Sequence, residues 1–87
     1  MMQVFSHKHF DKKFEKLSPM IKKKFRERIK IFFENPFAEE LNNHELNGTY
    51  QGMRSINITG DIRAIYEQVD KQKVCFITIG SHAQLHG

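Results

Sequence analysis

The sequence predicts an α+β fold, with a two-helix hairpin packed on one face of a small, mostly antiparallel twisted sheet. Three observations predict it. Apolar residues recur at helical spacing in the first third of the chain, at Phe10, Phe14 and Leu17 and again at Ile21, Phe25, Ile29 and Phe32. After residue 50 the apolar period changes to two. The 87 residues suffice for one modest core, so helices and strands must share it.

Each element follows in order. Met2 to Ser6 alternates weakly and reads as a short strand. His7 to Leu17 reads as a helix, with Lys8, Lys12, Lys13 and Lys16 around the turn from the phenylalanines. Ser18-Pro19 restarts the chain: serine caps a helix N-terminus, and proline fits its first position, where an N–H is unpaired anyway. Asn35-Pro36 stops the second helix, because proline disfavours helical geometry in the residue before it. Two helices joined by so short a link pack antiparallel. Residues 36–49 read as a loop. Tyr50 to Thr59 reads as a strand, with Ile56 and Ile58 on one face and Ser55 and Asn57 on the other. A turn at Thr59-Gly60-Asp61 leads to a strand over Ile62 to Val69, and a turn at Asp70-Lys71-Gln72 to a strand over Val74 to Ile79. Residues 80–87 follow as a tail. The order is β-α-α-β-β-β in a single domain spanning 1–87, with the sheet face away from the helices expected to be open and partly polar.

Composition narrows the function classes. Hydrophobic residues at 39% and charged residues at 28% exclude wholesale disorder. The single cysteine, Cys75, excludes an intramolecular disulfide and reads as core filler within Val74-Cys75-Phe76-Ile77. No apolar run is long enough to cross a bilayer and no cleavable leader is visible, so the expectation is a soluble cytoplasmic protein with no membrane partner. Net charge is +4, unevenly spread. Residues 1–35 carry ten Lys and Arg against four acids, and residues 36–87 carry four against six. That asymmetry points to a polyanion or an acidic partner; the plainer reading is a solvated, lysine-rich hairpin.

Of the five histidines, His44 precedes the first hairpin, and His82 and His86 follow the last strand. Asp61 lies at a hairpin turn, while Arg54 and Arg63 fall on the strands beside it. Adjacent strands bring their ends together, so His44, Asp61, His82 and His86 are expected near one edge of the sheet. Such a set suits RNA strand scission, which needs a base for the 2′-OH, a cation for the crowded phosphate and an acid for the departing 5′-oxygen. Histidine serves either proton role near neutrality, and arginine matches phosphate oxygens with a planar fork. No metal or other cofactor is needed, and the spacing supports no metal site. Every residue also has a bland reading. Arg54 and Arg63 can be ion-pair partners of Asp61, Glu67 or Asp70. His44 can be a loop surface residue, and His82 can bond the backbone at the end of the last strand. His7 and His9 read as helix-start or surface residues, and Tyr66 as a packed strand residue with a bonded hydroxyl.

The second half of the chain resembles a known family. His44-Glu45-Leu46-Asn47-Gly48, Gly52-Met53-Arg54-Ser55-Ile56-Asn57-Ile58, Gly60-Asp61-Ile62-Arg63-Ala64-Ile65-Tyr66 and Ile79-Gly80-Ser81-His82-Ala83-Gln84-Leu85 resemble the RelE/ParE toxin superfamily, most closely its YafQ-like branch. The resemblance implies the RelE-like fold and the toxin of a type II toxin–antitoxin pair. It further implies a metal-independent endoribonuclease acting on mRNA in the 70S ribosome and restrained by a cognate antitoxin. Carried over by position, His44, Asp61 and His82 match catalytic residues and Arg63 a phosphate-binding arginine. Arg54 falls where the pattern has a basic residue. Three positions depart: Thr78 stands where YafQ-like toxins carry arginine, Asn57 where they carry histidine, and His86 where they carry an aromatic residue. Under this reading His86 joins Arg54 on the RNA, and Lys22, Lys23 and Arg26 of the second helix grip ribosomal RNA phosphates. Two other readings share the fold: a ParE-like gyrase inhibitor acting by protein binding, and a catalytically weak relative that only binds antitoxin or RNA.

Overall fold

The computed structural model describes the backbone of residues 2–86 and the side chains of residues 2–85. Strand β1 (Gln3–Ser6) leads into helix α1 (Lys8–Glu15), and helix α2 (Pro19–Glu34) follows. The short strand β2 (His44–Glu45) precedes β3 (Arg54–Asn57), β4 (Ile62–Asp70) and β5 (Lys73–Ser81), and helix α3 (His82–His86) ends the described chain. The sheet order is β1-β5-β4-β3-β2. All neighbours are antiparallel except β1, which runs parallel to β5 with Gln3 opposite Lys73 and Ser6 opposite Phe76.

The expected helix starts are present. Ser18 Oγ accepts the Ile21 N–H at 3.3 Å with Pro19 in the first turn. His7 caps α1, its Nδ1 accepting the His9 N–H at 3.0 Å. At the far end of α2, Asn35 leaves helical geometry, and its Oδ1 accepts the Phe37 N–H at 3.0 Å. Ser18→Ala is expected to lower stability by about 1 kcal/mol, read as a lower urea midpoint with unchanged slope. An unchanged midpoint would show the cap to be idle.

The core under the helices is aromatic. Phe10, Phe25, Phe32 and Tyr66 all stand within 5.9 Å, centroid to centroid, of the Phe76 ring. Ile56, Ile58, Ala64, Val74 and Ile79 floor this cluster from the sheet. Tyr66 is buried, and its hydroxyl accepts from Asn43 Nδ2 at 2.8 Å, as a packed strand tyrosine requires.

Four details differ from the sequence reading. The third strand is shorter than residues 50–59, because Gly48–Tyr50 form a 3-10 turn and Gly52 adopts φ +87°. A two-residue strand, β2, lies inside the expected loop. The expected tail is helix α3, closed by a reciprocal cap: Ser81 Oγ accepts the Gln84 N–H at 3.1 Å, and Gln84 Oε1 accepts the Ser81 N–H at 2.9 Å. Finally, the sheet face away from the helices is not bare, because Leu46 and Leu85 bury Ile65 there, with Tyr50 and Met53 packed around them. Among the described residues no helix is long and apolar enough to cross a membrane.

Candidate functional site

Register sorts the polar strand residues between the two faces. Arg54 pairs with Tyr66, whose ring lies in the core under the helices, so Arg54 shares the helix face. Its Nε donates to Asn43 Oδ1 at 2.7 Å, its guanidinium stands 5.2 Å from the Phe37 ring centroid, and Glu45 meets its charge at 3.9 Å. Asn43 turns its amide to Tyr66 and to the Pro36 carbonyl. Arg54 is thus part of a structural hub.

The opposite face carries two rows. One runs Ser55–Ile65–Thr78, the other Asn57–Arg63–Gly80. The first is dry. Ser55 and Thr78 are 0% and 1% exposed, and neither hydroxyl has a hydrogen-bond partner among the described residues. An unpaired buried hydroxyl costs about 1–3 kcal/mol. Thr78→Val, which keeps the shape, is therefore expected to raise the melting temperature, whereas Thr78→Arg must break open the Leu46–Leu85 cover. Equal melting temperatures for Thr78→Val and wild type would show the hydroxyl to be solvated.

The second row is polar and sits at the end of the sheet. Arg63 is half-buried. Its Nη1 donates to the carbonyls of Thr59 at 3.0 Å and Ile62 at 3.3 Å, both within the β3–β4 hairpin it belongs to. Thr59 shapes that turn by accepting the Asp61 and Ile62 N–H groups on its Oγ1. Carbonyls fix the guanidinium without cancelling its charge, and no carboxylate of a described residue pairs with it. The exposed Asp61 lies in the same turn, and its carbonyl accepts the His82 N–H at 2.9 Å. That bond joins the hairpin turn to the start of α3, beside the Ser81–Gln84 cap.

Gly80 lies beside Arg63 in the row and is buried. A β-carbon there would stand 2.9 Å from Gln84 Oε1, 3.1 Å from Lys13 Nζ and 3.6 Å from Leu85 Cδ2. The missing side chain is therefore what lets α3 and the Lys13 ammonium close over the row.

His44 lies on β2 opposite Ser55, so register places it on the same face as Arg63. Its Nδ1 is 2.8 Å from the Asn42 carbonyl, reached because Asn42 turns the chain at φ +45°. A carbonyl can only accept, so Nδ1 carries the proton and the lone pair of the neutral ring sits on Nε2. Two strand spacings, about 10 Å, separate β2 from β4.

The structure thus brings Asp61, Arg63 and His82 together, sets His44 further along the same face, and places Arg54 on the other face. Strand parity separates Arg54, expected on the RNA, from Arg63: Arg54 shares the phase of Ile56, Arg63 that of Ile65. Lys22, Lys23 and Arg26 lie on α2 in the helical layer, outside the row of Arg63, with Lys22 Nζ 6.0 Å from the Phe14 ring centroid. The side chain of His86 lies outside the described residues. Lys13 was not singled out from the sequence, since its relevance depends on α1 packing along β5. The Ser81-x-x-Gln84 pattern, in contrast, was a readable sign of α3. Cys75 is only partly buried, and burial, with the carboxylates of Glu67 and Asp11, pushes its thiol above the ordinary range. That keeps it a poor nucleophile. Among the described residues no three His, Cys, Asp or Glu side chains gather as a metal site.

A helical hairpin on a mixed sheet, with β1 parallel to β5 and all other neighbours antiparallel, has the RelE-like topology. The chain belongs to the family described as the bacterial toxin of type II toxin–antitoxin systems, YafQ, whose pattern matches residues 2–87. Among solved structures it resembles YafQ from E. coli strain BL21(DE3), at 19% identity and a TM-score of 0.78 over all of both chains. It resembles the E. coli DinJ-YafQ complex at 22% identity and a TM-score of 0.73, again over all of both chains. The YoeB/ParE toxin from Agrobacterium tumefaciens aligns at 21% identity and a TM-score of 0.76, over 93% of this chain and 99% of that one. No curated protein matches it in sequence.

Proposed function

We propose that this YafQ-family toxin is a ribosome-dependent endoribonuclease that cuts mRNA by metal-independent acid–base chemistry. The observation that carries the reading is Arg63: a half-buried guanidinium, aimed by two turn carbonyls, left unneutralised, and set beside Asp61 and His82. The 2′-oxygen of one nucleotide attacks the adjacent phosphorus as its proton passes to a base. The bond from phosphorus to the 5′-oxygen breaks as His82 protonates the leaving oxygen, giving a 2′,3′-cyclic phosphate and a 5′-hydroxyl. Arg63 balances the charge gathering on the phosphoryl oxygens. The base is Asp61, on the turn joined to His82, or His44 through Nε2; Asp61→Asn and His44→Gln, measured separately, decide between them.

Lys22, Lys23 and Arg26 of α2 suit ribosomal RNA phosphates, which a cation grips without reading sequence. The ribosome would supply the positioning of the message. The proposed partners are mRNA, the 70S ribosome and a cognate antitoxin, and the compartment is the cytoplasm; the DinJ bound to E. coli YafQ supports the antitoxin. The burial of the uncharged Thr78 favours a slow enzyme, and at the limit a relative that binds antitoxin or RNA with little cutting.

The test is induction in cells with message ends mapped on ribosomes, followed by single-turnover cleavage on programmed ribosomes. His82→Gln is expected to slow cleavage about 10²–10⁴-fold with ribosome binding retained. Undiminished cutting would remove His82 from the acid role. A folded wild type that cuts no ribosome-bound message would end the nuclease reading.

A further inference from the structure

We propose that Lys13 of α1 is a second phosphate-binding cation of this site, reaching it over Gly80; the inference rests on the nuclease reading above. Sheet residues alone give the polar row one cation. Of its three positions, Asn57 is neutral, Arg63 is charged and Gly80 has no side chain. Lys13 fills the third position from outside the sheet, its Nζ 3.1 Å from where a β-carbon of Gly80 would be. Cross-strand neighbours in one row hold their β-carbons about 5 Å apart. The ammonium of Lys13 therefore occupies the row position next to Arg63.

Three features make this a built arrangement. Helix α1 is held in place: Phe10 and Phe14 enter the aromatic core, and His7 caps its start. The Lys13 stem is half-buried, whereas Lys12 and Lys16 on the same helix are exposed. No described carboxylate lies within ion-pair range of Lys13 or Arg63, so the row carries two unneutralised cations. Two like charges serving one row favour a bound anion, and a phosphodiester is such an anion. The need is greatest in the transition state, where the phosphoryl group carries one more negative charge than in the resting message. Lys13 touches the phosphate under this assignment and is a catalytic residue. The Gln84 carboxamide, held by the Ser81 N–H, lies over the same glycine.

The experiment compares wild type, Lys13→Ala, Lys13→Arg and Lys12→Ala in single-turnover cleavage on programmed ribosomes, with thermal melts to verify folding. Lys13→Ala is expected to slow cleavage about 10²-fold while ribosome affinity changes less than about threefold, with Lys13→Arg recovering most of the rate and Lys12→Ala matching wild type. Cleavage by Lys13→Ala within threefold of wild type overturns the assignment. So does equal slowing in Lys12→Ala, which would mark a bulk-charge effect. A second arm separates this inference from the functional reading. Binding of a short RNA blocked by a 2′-deoxy substitution at the cleavage position is followed against salt. Removing one phosphate contact lowers the log–log slope by about 0.7. If wild type cuts nothing, the nuclease reading fails and this slope alone decides Lys13: a fall of that size upholds the contact, and an unchanged slope overturns it.

Discussion

Arg63→Ala is expected to lower message cleavage about 10³-fold. The size follows from the environment of the guanidinium. Its Nη1 is committed to the Thr59 and Ile62 carbonyls, which aim the remaining N–H edges without supplying opposing charge. A preorganised cation costs no rearrangement when charge develops on the phosphate. Arg63→Lys is expected to recover little, because one ammonium cannot hold two turn carbonyls and present a planar fork as well. Losing the carbonyl bonds should destabilise the fold by only about 1 kcal/mol, so melting separates a chemical defect from an unfolded protein. A folded Arg63→Ala variant that cuts at the wild-type rate would dismantle the site as drawn.

Phe76→Ala is the substitution expected to cost the fold most. Its ring meets Phe10, Phe25, Phe32 and Tyr66, and so joins both helices to two strands. Truncating a buried phenylalanine costs about 3–5 kcal/mol, against a total of about 5–15 kcal/mol for a natural domain. A domain this small is expected near the lower end, so Phe76→Ala should lose its cooperative melt at physiological temperature. Phe5→Ala is the control, since that ring is 52% exposed and its loss should be within about 0.5 kcal/mol. A cooperative Phe76→Ala melt displaced by only a few degrees would mean the cluster tolerates a cavity.

Much of this architecture was legible in the residues, for identifiable reasons. Ser18-Pro19 and Asn35-Pro36 bracket α2 because capping and proline geometry are local, and local chemistry reads directly from sequence. The alternation of Ile56 and Ile58 with Ser55 and Asn57 marked the two faces of β3, and the same parity assigns Arg54 to the helix side. What stayed hidden depended on distant segments. Strand β2 is two residues long and exists because Ser55 and Arg54 lie opposite it. The cover over Thr78 needs Leu46 and Leu85, nearly forty residues apart, to meet on Ile65. The place of Lys13 follows from a helix running beside the last strand, which no periodicity in residues 8–15 can express.

The pairing of β1 with β5 sets Gln3 opposite Lys73, residues far apart in sequence. During synthesis the helical hairpin emerges before the Phe76 ring that its phenylalanines enclose and before the Gly80 row under Lys13. An unfinished chain has nowhere to bury those rings and no place to assemble Arg63 with His82. The hairpin therefore cannot dock until β5 is present to receive it.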